Sequence, residues 1–385
     1  MADNSKLTAS LKIGFDAKRA FLNKTGLGNY SRGVIKILAT YFPENDYHLY
    51  TTKVGTGINS GFFGDAKNIK VHLPETPAFK FLWRSKSMVQ DLVRDKIELY
   101  HGLSQELPIG IKKTGIKTVV TIHDLIYLKY PEYFSLINRK IYEWKARKAC
   151  ETADLVITVS EQTKIDLVKY FNLNPQKIQV VYQGCDPAFR QPENELVKEA
   201  IRTKYQLPQQ FILNVGTIET RKNLLLAVKS LKNLPQEISL VVVGRETKYA
   251  LVIKNYLIKE ALQNRVLFLS GVFFEDLPAV YQLASVFVYP SRYEGFGIPV
   301  LEALSSGTPV VAATGSCLEE AGGPDSFYVD PDDAVSLSKK INLILENQPL
   351  QQKMKTKGMK YALRFKEENI AENLMGVYQQ ALNNA

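Results

Sequence analysis

The sequence predicts an α/β protein built from two doubly wound, parallel-sheet domains. The chain has 385 residues, which is longer than a single hydrophobic core usually extends. Short apolar runs alternate with helical patterns through both halves, as in parallel sheets that helices cover on both faces. Several of these runs end at glycine or a small polar residue, where ligand-binding loops gather in open α/β sheets.

The predicted elements follow the same rhythm in each half. Strands are predicted at residues 11–17, 118–124 and 154–160 and then at 210–216, 238–244, 265–271, 284–291 and 308–313. Helices are predicted near 29–40, 136–152, 161–170 and 366–382. The polar stretch CDPAFRQPENE, which begins at residue 185, contains two prolines, so we expect the domain boundary around residues 185–200.

Composition excludes several classes of protein. The chain is 45% hydrophobic and 23% charged, which is ordinary for a soluble globular protein. No apolar run approaches the roughly 18–20 residues that span a bilayer, and the start MADNSKLTAS lacks a signal-peptide pattern. Three scattered cysteines favour a reducing cytoplasm.

The net charge of +10 is concentrated in the first half. Residues 1–187 contain 27 Lys and Arg against 18 Asp and Glu, a net of +9. Such a half favours an anionic partner, namely a phosphate-bearing substrate, a lipid surface or nucleic acid. The alternative is a solvated basic surface.

The stretch YEGFGIPVLEAL at residues 293–304 places Glu294 and Glu302 around a glycine-containing loop. Pro299 suits the first turn of a helix and Gly307 suits its end, so Glu302 is expected about one turn inside a helix. A helix N-terminus favours phosphate oxygens, glycines allow close approach, and carboxylates accept hydrogen bonds from hydroxyls. The stretch therefore suits a ligand with sugar, diphosphate and ribose in series. The alternative is an ordinary helix start with acidic residues near its dipole.

Four motifs, in order, resemble those of retaining glycosyltransferases of family 4, which have the GT-B fold. Glu294 and Glu302, with seven residues between them, are similar to that family's E-x7-E motif. DAKRAFLNKTGLGNY resembles its N-terminal glycine loop, VVTIHDLIYLKYP its histidine-containing strand end, and VGTIETRKNL its phosphate-binding loop. The resemblance covers nearly the whole chain. It implies two Rossmann-like domains facing across a cleft: an acceptor-side domain over 1–187, a nucleotide-sugar domain over 188–363, and a helix over 364–385 that crosses back to the first domain.

The resemblance also implies roles for individual residues. Glu294 would contact hydroxyls of the donor sugar, Glu302 would hold the ribose, and His123 would contact the sugar near the reacting carbon. Arg221 and Lys222 would neutralise the diphosphate and the charge that develops on the leaving nucleotide. The catalytic set is thus His123, Glu294, Arg221 and Lys222. The predicted donor site comprises Gly26, Gly28, Gly216, Thr217, Arg221, Lys222, Val272, Phe273, Glu294, Gly295, Phe296, Gly297, Ile298, Val300, Leu301 and Glu302.

These residues also have structural interpretations. A lone histidine at a strand end is more often a buried structural residue, and Asp124 beside it could cap the next helix as readily as orient the ring. Arg221 and Lys222 could form a basic helix start. Thr217 stands where family members often carry Arg, so the positive charge would come from Arg221 and Lys222.

The implied reaction transfers a sugar from a nucleotide diphosphate to an acceptor hydroxyl with retention, through a front-face mechanism in which the donor phosphate takes the acceptor proton. No cofactor or metal is expected; VDPDD at residues 329–333 is predicted to be a turn and a helix cap.

The motifs GFGIPVLEA and ETRKN are most similar to those of family members that use GDP-mannose in bacterial surface polysaccharide synthesis, including lipopolysaccharide. UDP-hexose and UDP-N-acetylhexosamine donors stay open.

Residues 77–88, PAFKFLWRSKSM, mix aromatic and basic side chains, which is typical of interfacial contact with anionic lipid. The alternative is a core-facing helix start whose lysines snorkel. With the basic first half, this stretch predicts a cytoplasmic enzyme at the inner face of the plasma membrane. The expected partners are a nucleotide-sugar donor, a glycan or lipid-linked acceptor and anionic membrane, but no nucleic acid.

Three other classes of protein share features with this sequence. A sugar-nucleotide epimerase shares the architecture and needs no acceptor, so it stays as the alternative. A dinucleotide-dependent oxidoreductase would place G-x-G-x-x-G directly after the first strand, whereas Gly26 and Gly28 lie farther on and Ser31 replaces the third glycine. A nucleic-acid binder would be expected to cluster base-stacking aromatics on a known module, which the sequence does not.

Overall fold

The chain divides into two compact units. A computed structural model describes residues 10–54, 66–75 and 82–384. One unit comprises the described residues up to Tyr182 together with those from Glu367 onward, and the other runs from Gln183 to Lys366. The expected boundaries lay at 187/188 and 363/364. Cys185, near the first of these boundaries, belongs to the second unit, where its Sγ lies 3.2 Å from Ser305 Oγ.

The first unit is built on a seven-stranded sheet in the order β3-β2-β1-β4-β5-β6-β7. Every neighbouring pair is parallel, and the order reverses between β1 and β4, which makes their carboxyl ends the topological switch point. The strands are β1 Lys12–Asp16, β2 Asp46–Tyr50, β3 Ile69–His72, β4 Leu99–Gly102, β5 Lys117–Ile122, β6 Leu155–Thr158 and β7 Ile178–Val180.

Helices connect these strands on both faces. Two of them begin at serines that accept a hydrogen bond from a first-turn amide: Ser135 from Asn138 N at 3.3 Å and Ser160 from Thr163 N at 3.1 Å. The helices are α1 Lys18–Leu22, α2 Gly26–Tyr41, α3 Met88–Arg94, α4 Ile126–Lys129, α5 Leu136–Thr152 and α6 Glu161–Phe171.

The second unit repeats the plan with six parallel strands in the order β10-β9-β8-β11-β12-β13. Its order reverses between β8 and β11, and valine-rich strands are buried from both sides. The strands are β8 Phe211–Val215, β9 Ser239–Val243, β10 Val266–Leu269, β11 Val286–Tyr289, β12 Val310–Ala313 and β13 Phe327–Val329. The prediction of two doubly wound parallel sheets is therefore confirmed.

The second unit's helices fill the connections between these strands. Gly297, with φ of +124°, precedes one of them, and Gly307, with φ of +70°, follows its end. The helices are α7 Glu195–Tyr205, α8 Leu224–Ser230, α9 Tyr249–Lys259, α10 Leu277–Leu283, α11 Ile298–Ser305, α12 Leu318–Gly322, α13 Ala334–Glu346 and α14 Gln348–Ala362.

The last helix, α15 Glu367–Asn383, belongs to the first unit. Its apolar stripe, which includes Ile370, Leu374 and Tyr378, is part of the same hydrophobic core as β1 and α2. None of the helices in the described part of the chain combines the length and apolarity that crossing a bilayer requires.

Candidate functional site

The carboxyl end of β8 forms a tight glycine turn. Gly216 has φ of +146°, and a Cβ there would lie 3.2 Å from Lys222 Cδ. At the end of the neighbouring strand β9, a Cβ on Gly244 would lie 2.0 Å from Gly216 O. The two strand ends therefore pack backbone against backbone, which requires glycine at position 244, whereas the positive φ favours glycine at position 216.

After Thr217, the chain forms a 3₁₀ turn at Thr220–Lys222 that is fixed by the residue following it. Asn223 adopts φ of +56°, and its Nδ2 donates to Pro290 O at 3.2 Å and to Pro331 O at 2.7 Å. These bonds tie the turn to the segments that follow β11 and β13. The turn consequently presents Arg221 and Lys222 toward the loop after β11.

Glu294 in that loop is the centre of a dense polar cluster. Its Oε2 lies 2.8 Å from Arg221 Nη1, and its Oε1 lies 3.1 Å from Lys222 Nζ. Tyr289 Oη and Ser291 Oγ donate to Oε1 at 2.9 and 2.8 Å. The Glu294 side chain is 13% exposed, so part of it remains accessible to a ligand.

These contacts hold Glu294 in its ionised form. Burial alone would raise its pKa, but the charges of Lys222 and Arg221 outweigh burial and lower the pKa to about 2. In turn, burial would lower the pKa of both cations, yet the Glu294 charge raises the pKa of each. The cluster therefore has one fixed negative and two fixed positive charges at neutral pH.

Contacts with Cys317, Leu318 and Phe365 hold the loop between Glu294 and helix α11 in place. Cys317 Sγ lies 3.0 Å from both Glu294 O and Phe296 O, and the Phe296 ring packs on Phe365 with centroids 5.5 Å apart. A Cβ on Gly297 would approach Leu318 Cδ2 to 2.9 Å. This support fixes the loop that carries Glu294 and Gly295.

The predicted donor site includes Val300 and Leu301 at the start of α11, but the backbone amides of both residues are already engaged. Val300 N and Leu301 N donate to Gly297 O at 2.9 and 3.2 Å, so these two N–H groups close the first helical turn and do not point to a ligand. Pro299 has no N–H. Of the predicted set, the amides of Gly297 and Ile298 precede the helical ladder and are suitably placed for an anion.

Glu302 lies inside α11 in a different environment from Glu294. Tyr281 Oη on α10 donates to its Oε2 at 2.8 Å. Burial raises the pKa of Glu302 to about 7; the Tyr281 hydrogen bond opposes this and the nearby Asp186 charge adds to it. The two glutamates of the motif therefore differ in charge state near neutral pH.

The remaining predicted residues of this unit lie at the same sheet edge. Val272 and Phe273 follow β10; Phe273 N donates to Tyr205 Oη at 3.3 Å, and the ring is exposed with Lys204 Nζ 4.8 Å from its centroid. Thr217 follows β8, and the next residue, Ile218, donates its N–H to Arg245 O at 3.0 Å. The ends of β8, β9, β10 and β11 thus each contribute to one edge.

In the first unit, His123 follows β5 as a buried residue. Its Nε2 donates to Leu103 O at 2.9 Å, and its ring packs edge-to-face with the Tyr30 ring, with centroids 4.6 Å apart. Burial lowers the pKa of His123 to about 4, so the imidazole is neutral, with Nδ1 as its acceptor. Asp124 Oδ1 accepts from Ile126 N at 3.2 Å, and the Leu103 carbonyl orients the imidazole.

The predicted glycine loop is a helix start. Helix α2 begins at Gly26, and Gly28 N donates to Thr25 O at 2.9 Å, so this N–H is occupied within the first turn. A Cβ on Gly28 would lie 1.9 Å from Asn23 O, so close packing against the Asn23 backbone explains why glycine occupies this position. A Cβ on Gly26 would meet open space.

Comparison with known proteins gives each unit a family. The family model described as "Glycosyltransferase Family 4" matches residues 36–189, and the model described as "Glycosyl transferases group 1" matches residues 197–361. The chain is a glycosyltransferase with the GT-B fold.

Relatives and solved structures agree with this assignment. The enzyme is 29% identical over 295 residues to the O-antigen chain mannosyltransferase B of Escherichia coli, covering 73% of this chain and 74% of that protein. It is 29% identical over 225 residues to the O-antigen chain mannosyltransferase RfbU of Salmonella typhimurium, covering 58% and 60%. The crystal structure of Anabaena Alr3699/HepE in complex with UDP and glucose is similar in fold, with TM-score 0.75, 18% identity and coverage of 96% of this chain and 100% of that one.

The VDPDD segment at residues 329–333 forms a turn and a helix cap, as predicted. Asp333 caps helix α13 by accepting from Ser336 N at 2.8 Å, and Asp330 Oδ1 accepts from Asp332 N at 2.8 Å. Asp332 pairs with Arg292. Among the described residues, His48, His72 and Asp95 form the one cluster of metal-ligand types, but His72 Nε2 lies 3.0 Å from His48 Nδ1, at hydrogen-bonding distance.

The segment predicted to touch membrane is only partly described, because residues 77–81 lie outside the described residues. In the remainder, Trp83 and Met88 are buried in a hydrophobic cluster. Arg84 is bound by Asp16 and Glu106, with Nε 3.1 Å from Asp16 Oδ1. These three side chains face the protein, which fits the core-facing alternative.

Sequence reasoning missed residues that complete the candidate site. Tyr289 contacts both Glu294 and Lys222, and Tyr281 contacts Glu302. Ser291 and Asn223 support the same loop. Tyr289 and Ser291 lie at the end of the predicted strand ASVFVYPS, shortly before Glu294. Their position at that strand end could have identified them as neighbours of Glu294. Tyr281 lies 21 residues before Glu302, and nothing in the local pattern indicates their contact.

Proposed function

We propose that this glycosyltransferase moves a hexose, with mannose favoured, from a nucleotide diphosphate sugar to a hydroxyl of a glycan or lipid-linked acceptor in bacterial surface polysaccharide synthesis. The observation that carries the proposal is the Glu294 carboxylate clamped between Arg221 and Lys222. This cluster offers acceptors for sugar hydroxyls beside cations for phosphates. Mannose is favoured because the two relatives above are named as O-antigen chain mannosyltransferases.

The proposed reaction proceeds with retention at the anomeric carbon. The bond from that carbon to the donor phosphate oxygen breaks, the acceptor oxygen bonds on the same face, and its proton passes to the departing phosphate. Arg221 and Lys222 would stabilise the charge that develops on that phosphate. Glu294 is a poor candidate nucleophile, because two cations and two hydroxyls already contact its oxygens.

The proposed chemistry needs no metal ion, since the paired cations and the start of α11 supply positive charge. Activity is therefore expected to survive a chelator and not to rise with added Mg²⁺ or Mn²⁺. Loss of transfer in EDTA, restored by a divalent cation, would refute this part of the proposal alone.

A UDP-sugar donor is the second candidate, because a structural relative was crystallised with UDP and glucose. The first test is thermal shift against GDP, UDP, GDP-mannose and UDP-glucose, since selective binding raises the melting temperature. Transfer from the stabilising donor is then measured, with the anomeric configuration read by NMR. Stabilisation without transfer to any glycan, but with conversion of the nucleotide sugar, would favour the epimerase.

Glu302 is expected to make donor binding depend on pH. Its carboxylate, which titrates near pH 7, accepts ribose hydroxyls when ionised, so the donor KM should fall as pH rises from 6 to 8. Glu302→Gln should raise KM roughly tenfold and flatten this dependence. The matched control is Glu346→Gln, at an exposed glutamate ending α13. A wild-type KM that is constant over this range would contradict the assignment.

His123 is expected to act as a neutral hydrogen-bonding group. Burial lowers the pKa of His123 to about 4, so this residue does not change its charge between pH 5.5 and 8. Titration of His123 should therefore cause no change in kcat/KM over that range. His123→Phe should lower kcat/KM about tenfold, because it removes one neutral hydrogen bond to the substrate in the transition state. A wild-type limb near pH 6.5 that disappears in the variant would show a protonated histidine instead.

We also propose that the acceptor is lipid-linked and that the enzyme works at the inner face of the plasma membrane. The excess of basic residues over positions 1–187 supports this, because anionic lipids attract such a surface.

A further inference from the structure

Helix α5 exposes large apolar side chains on one face. Ile137, Ile141 and Trp144 are 73%, 44% and 60% exposed. Their spacing of four and three residues places them on a single stripe along the helix. Leu136, beside the stripe at the helix start, is also exposed.

The stripe points away from the core of its own unit. Ala146, Ala149 and Cys150 are the buried residues of α5, and helical spacing puts them on the opposite side from Ile137 and Trp144. None of residues 136–145 is buried among the described residues. The apolar stripe is therefore not part of the hydrophobic core that holds the helix.

The exposed half of the helix is nevertheless firmly attached. The Tyr142 ring packs on Phe134 and Tyr127 with centroids 6.2 and 6.0 Å apart. Farther along, the Arg147 guanidinium lies 4.4 Å from the Phe171 ring centroid on α6. The stripe is thus presented on an ordered helix.

Basic residues flank the stripe. Helix α5 contains five Lys and Arg residues against Glu143 and Glu151. Lys140 and Lys148 are exposed, and they lie three residues after Ile137 and four after Trp144, on the same side as the stripe. The face combines apolar anchors with positive charge, in a half of the chain whose net charge is +9 over residues 1–187.

We propose that the α5 face, defined as Ile137, Lys140, Ile141, Trp144 and Lys148, docks the enzyme on an anionic lipid bilayer. Apolar side chains enter the boundary of headgroups and acyl chains, tryptophan favours that boundary, and lysines meet the anionic headgroups. A symmetric pairing of two copies through this face would bring its lysines together, which disfavours a dimer. The proposal deepens the proposed function, which places the acceptor in a membrane.

Intrinsic fluorescence can test this docking directly, because the chain has two tryptophans, of which Trp83 is 7% and Trp144 60% exposed. The enzyme is mixed with vesicles of pure phosphatidylcholine or of an equimolar mixture with phosphatidylglycerol. We expect cosedimentation and a blue shift with the anionic vesicles. Trp144→Phe should abolish the blue shift while the protein still sediments.

Substitutions then identify the surface. The triple variant Ile137→Ser, Ile141→Ser, Trp144→Ser should lower the partition coefficient roughly tenfold or more. Lys140→Gln with Lys148→Gln should lower it about fivefold per lysine. Matched controls are Leu196→Ser with Leu251→Ser, at exposed apolar positions of the second unit, and Lys353→Gln with Lys360→Gln. Circular dichroism and thermal melting confirm that each variant is folded.

Three results would overturn the proposal. They are no sedimentation of the wild type with anionic vesicles, equal sedimentation of the triple variant, and a wild-type dimer in solution that the triple variant converts to monomer. The vesicles contain neither donor nor glycan acceptor, so failure of docking and failure of the transferase assignment are separate. Transfer to a water-soluble acceptor without vesicle binding would refute docking alone.

Discussion

Replacing Lys222 by methionine is expected to lower kcat about 10²–10³-fold, the usual effect of removing one fixed charge that stabilises a transition state. The Lys222 ammonium contacts Tyr289 Oη at 2.6 Å and Glu294 Oε1 at 3.1 Å, and burial there makes its charge act in a weakly screened site. Methionine keeps the length and the apolar contacts of the stem. The charge that develops on the departing phosphate would then rest on Arg221.

The measurement is steady-state kinetics with the donor identified by thermal shift. Because Lys222 acts mainly on charge that develops during transfer, kcat should fall more than KM rises. Lys229→Met on α8 is the matched control, since Lys229 is exposed and comes from the same segment of chain. The folded fraction of both variants is checked by thermal melting. A Lys222→Met enzyme with kcat within threefold of wild type would exclude Lys222 from the reaction.

The fold was predictable from the sequence where a strand forms a long, continuous apolar run. The runs at 210–216, 238–244 and 284–291 are β8, β9 and β11, because continuous valine and isoleucine can only be buried from both faces of a parallel sheet. Strand β3 was missed, since Ile69–His72 is a short edge strand with two exposed residues and lacks that pattern. Strand β13 was also missed, because it has only three residues and so contains no long apolar run.

The candidate site was predictable only where residues are close in sequence. Glu294, Gly297 and Glu302 share one loop and helix, so their spacing in the sequence was enough to predict that they belong to one site. The contacts of Arg221 and Lys222 with Glu294 join residues more than 70 positions apart, and only the parallel arrangement of β8 and β11 brings them together. The occupied amides of Val300 and Leu301 depend on the φ of Gly297, which residue type does not fix.

Glu294→Gln is expected to separate binding of the diphosphate from transfer of the sugar. Glutamine keeps the shape of the side chain but leaves Arg221 and Lys222, which are 14% and 17% exposed, without their shared anion. The free energy of unfolding should fall by about 3 kcal/mol, as when one partner of a buried ion pair is removed. A diphosphate can replace that anion, so GDP or UDP should raise the melting temperature of the variant more than that of the wild type. Transfer should nevertheless fall about 10²-fold or more, because the sugar hydroxyls lose a charged acceptor.

The pH dependence of stability gives this prediction a second, independent readout. The Glu294 pKa is lowered from 4.5 to about 2, so its ionised form contributes stability above pH 4.5 that is lost as pH falls toward 2. The difference in unfolding free energy between wild type and Glu294→Gln should therefore be constant above about pH 5 and shrink below it. Glu219→Gln is the matched control, since Glu219 also pairs with Arg221 but is 39% exposed, and its effect should stay below about 1 kcal/mol. A difference that persists undiminished at pH 3, or a nucleotide shift no larger than in the wild type, would mean that Glu294 is not the counter-ion of the cations that bind the donor.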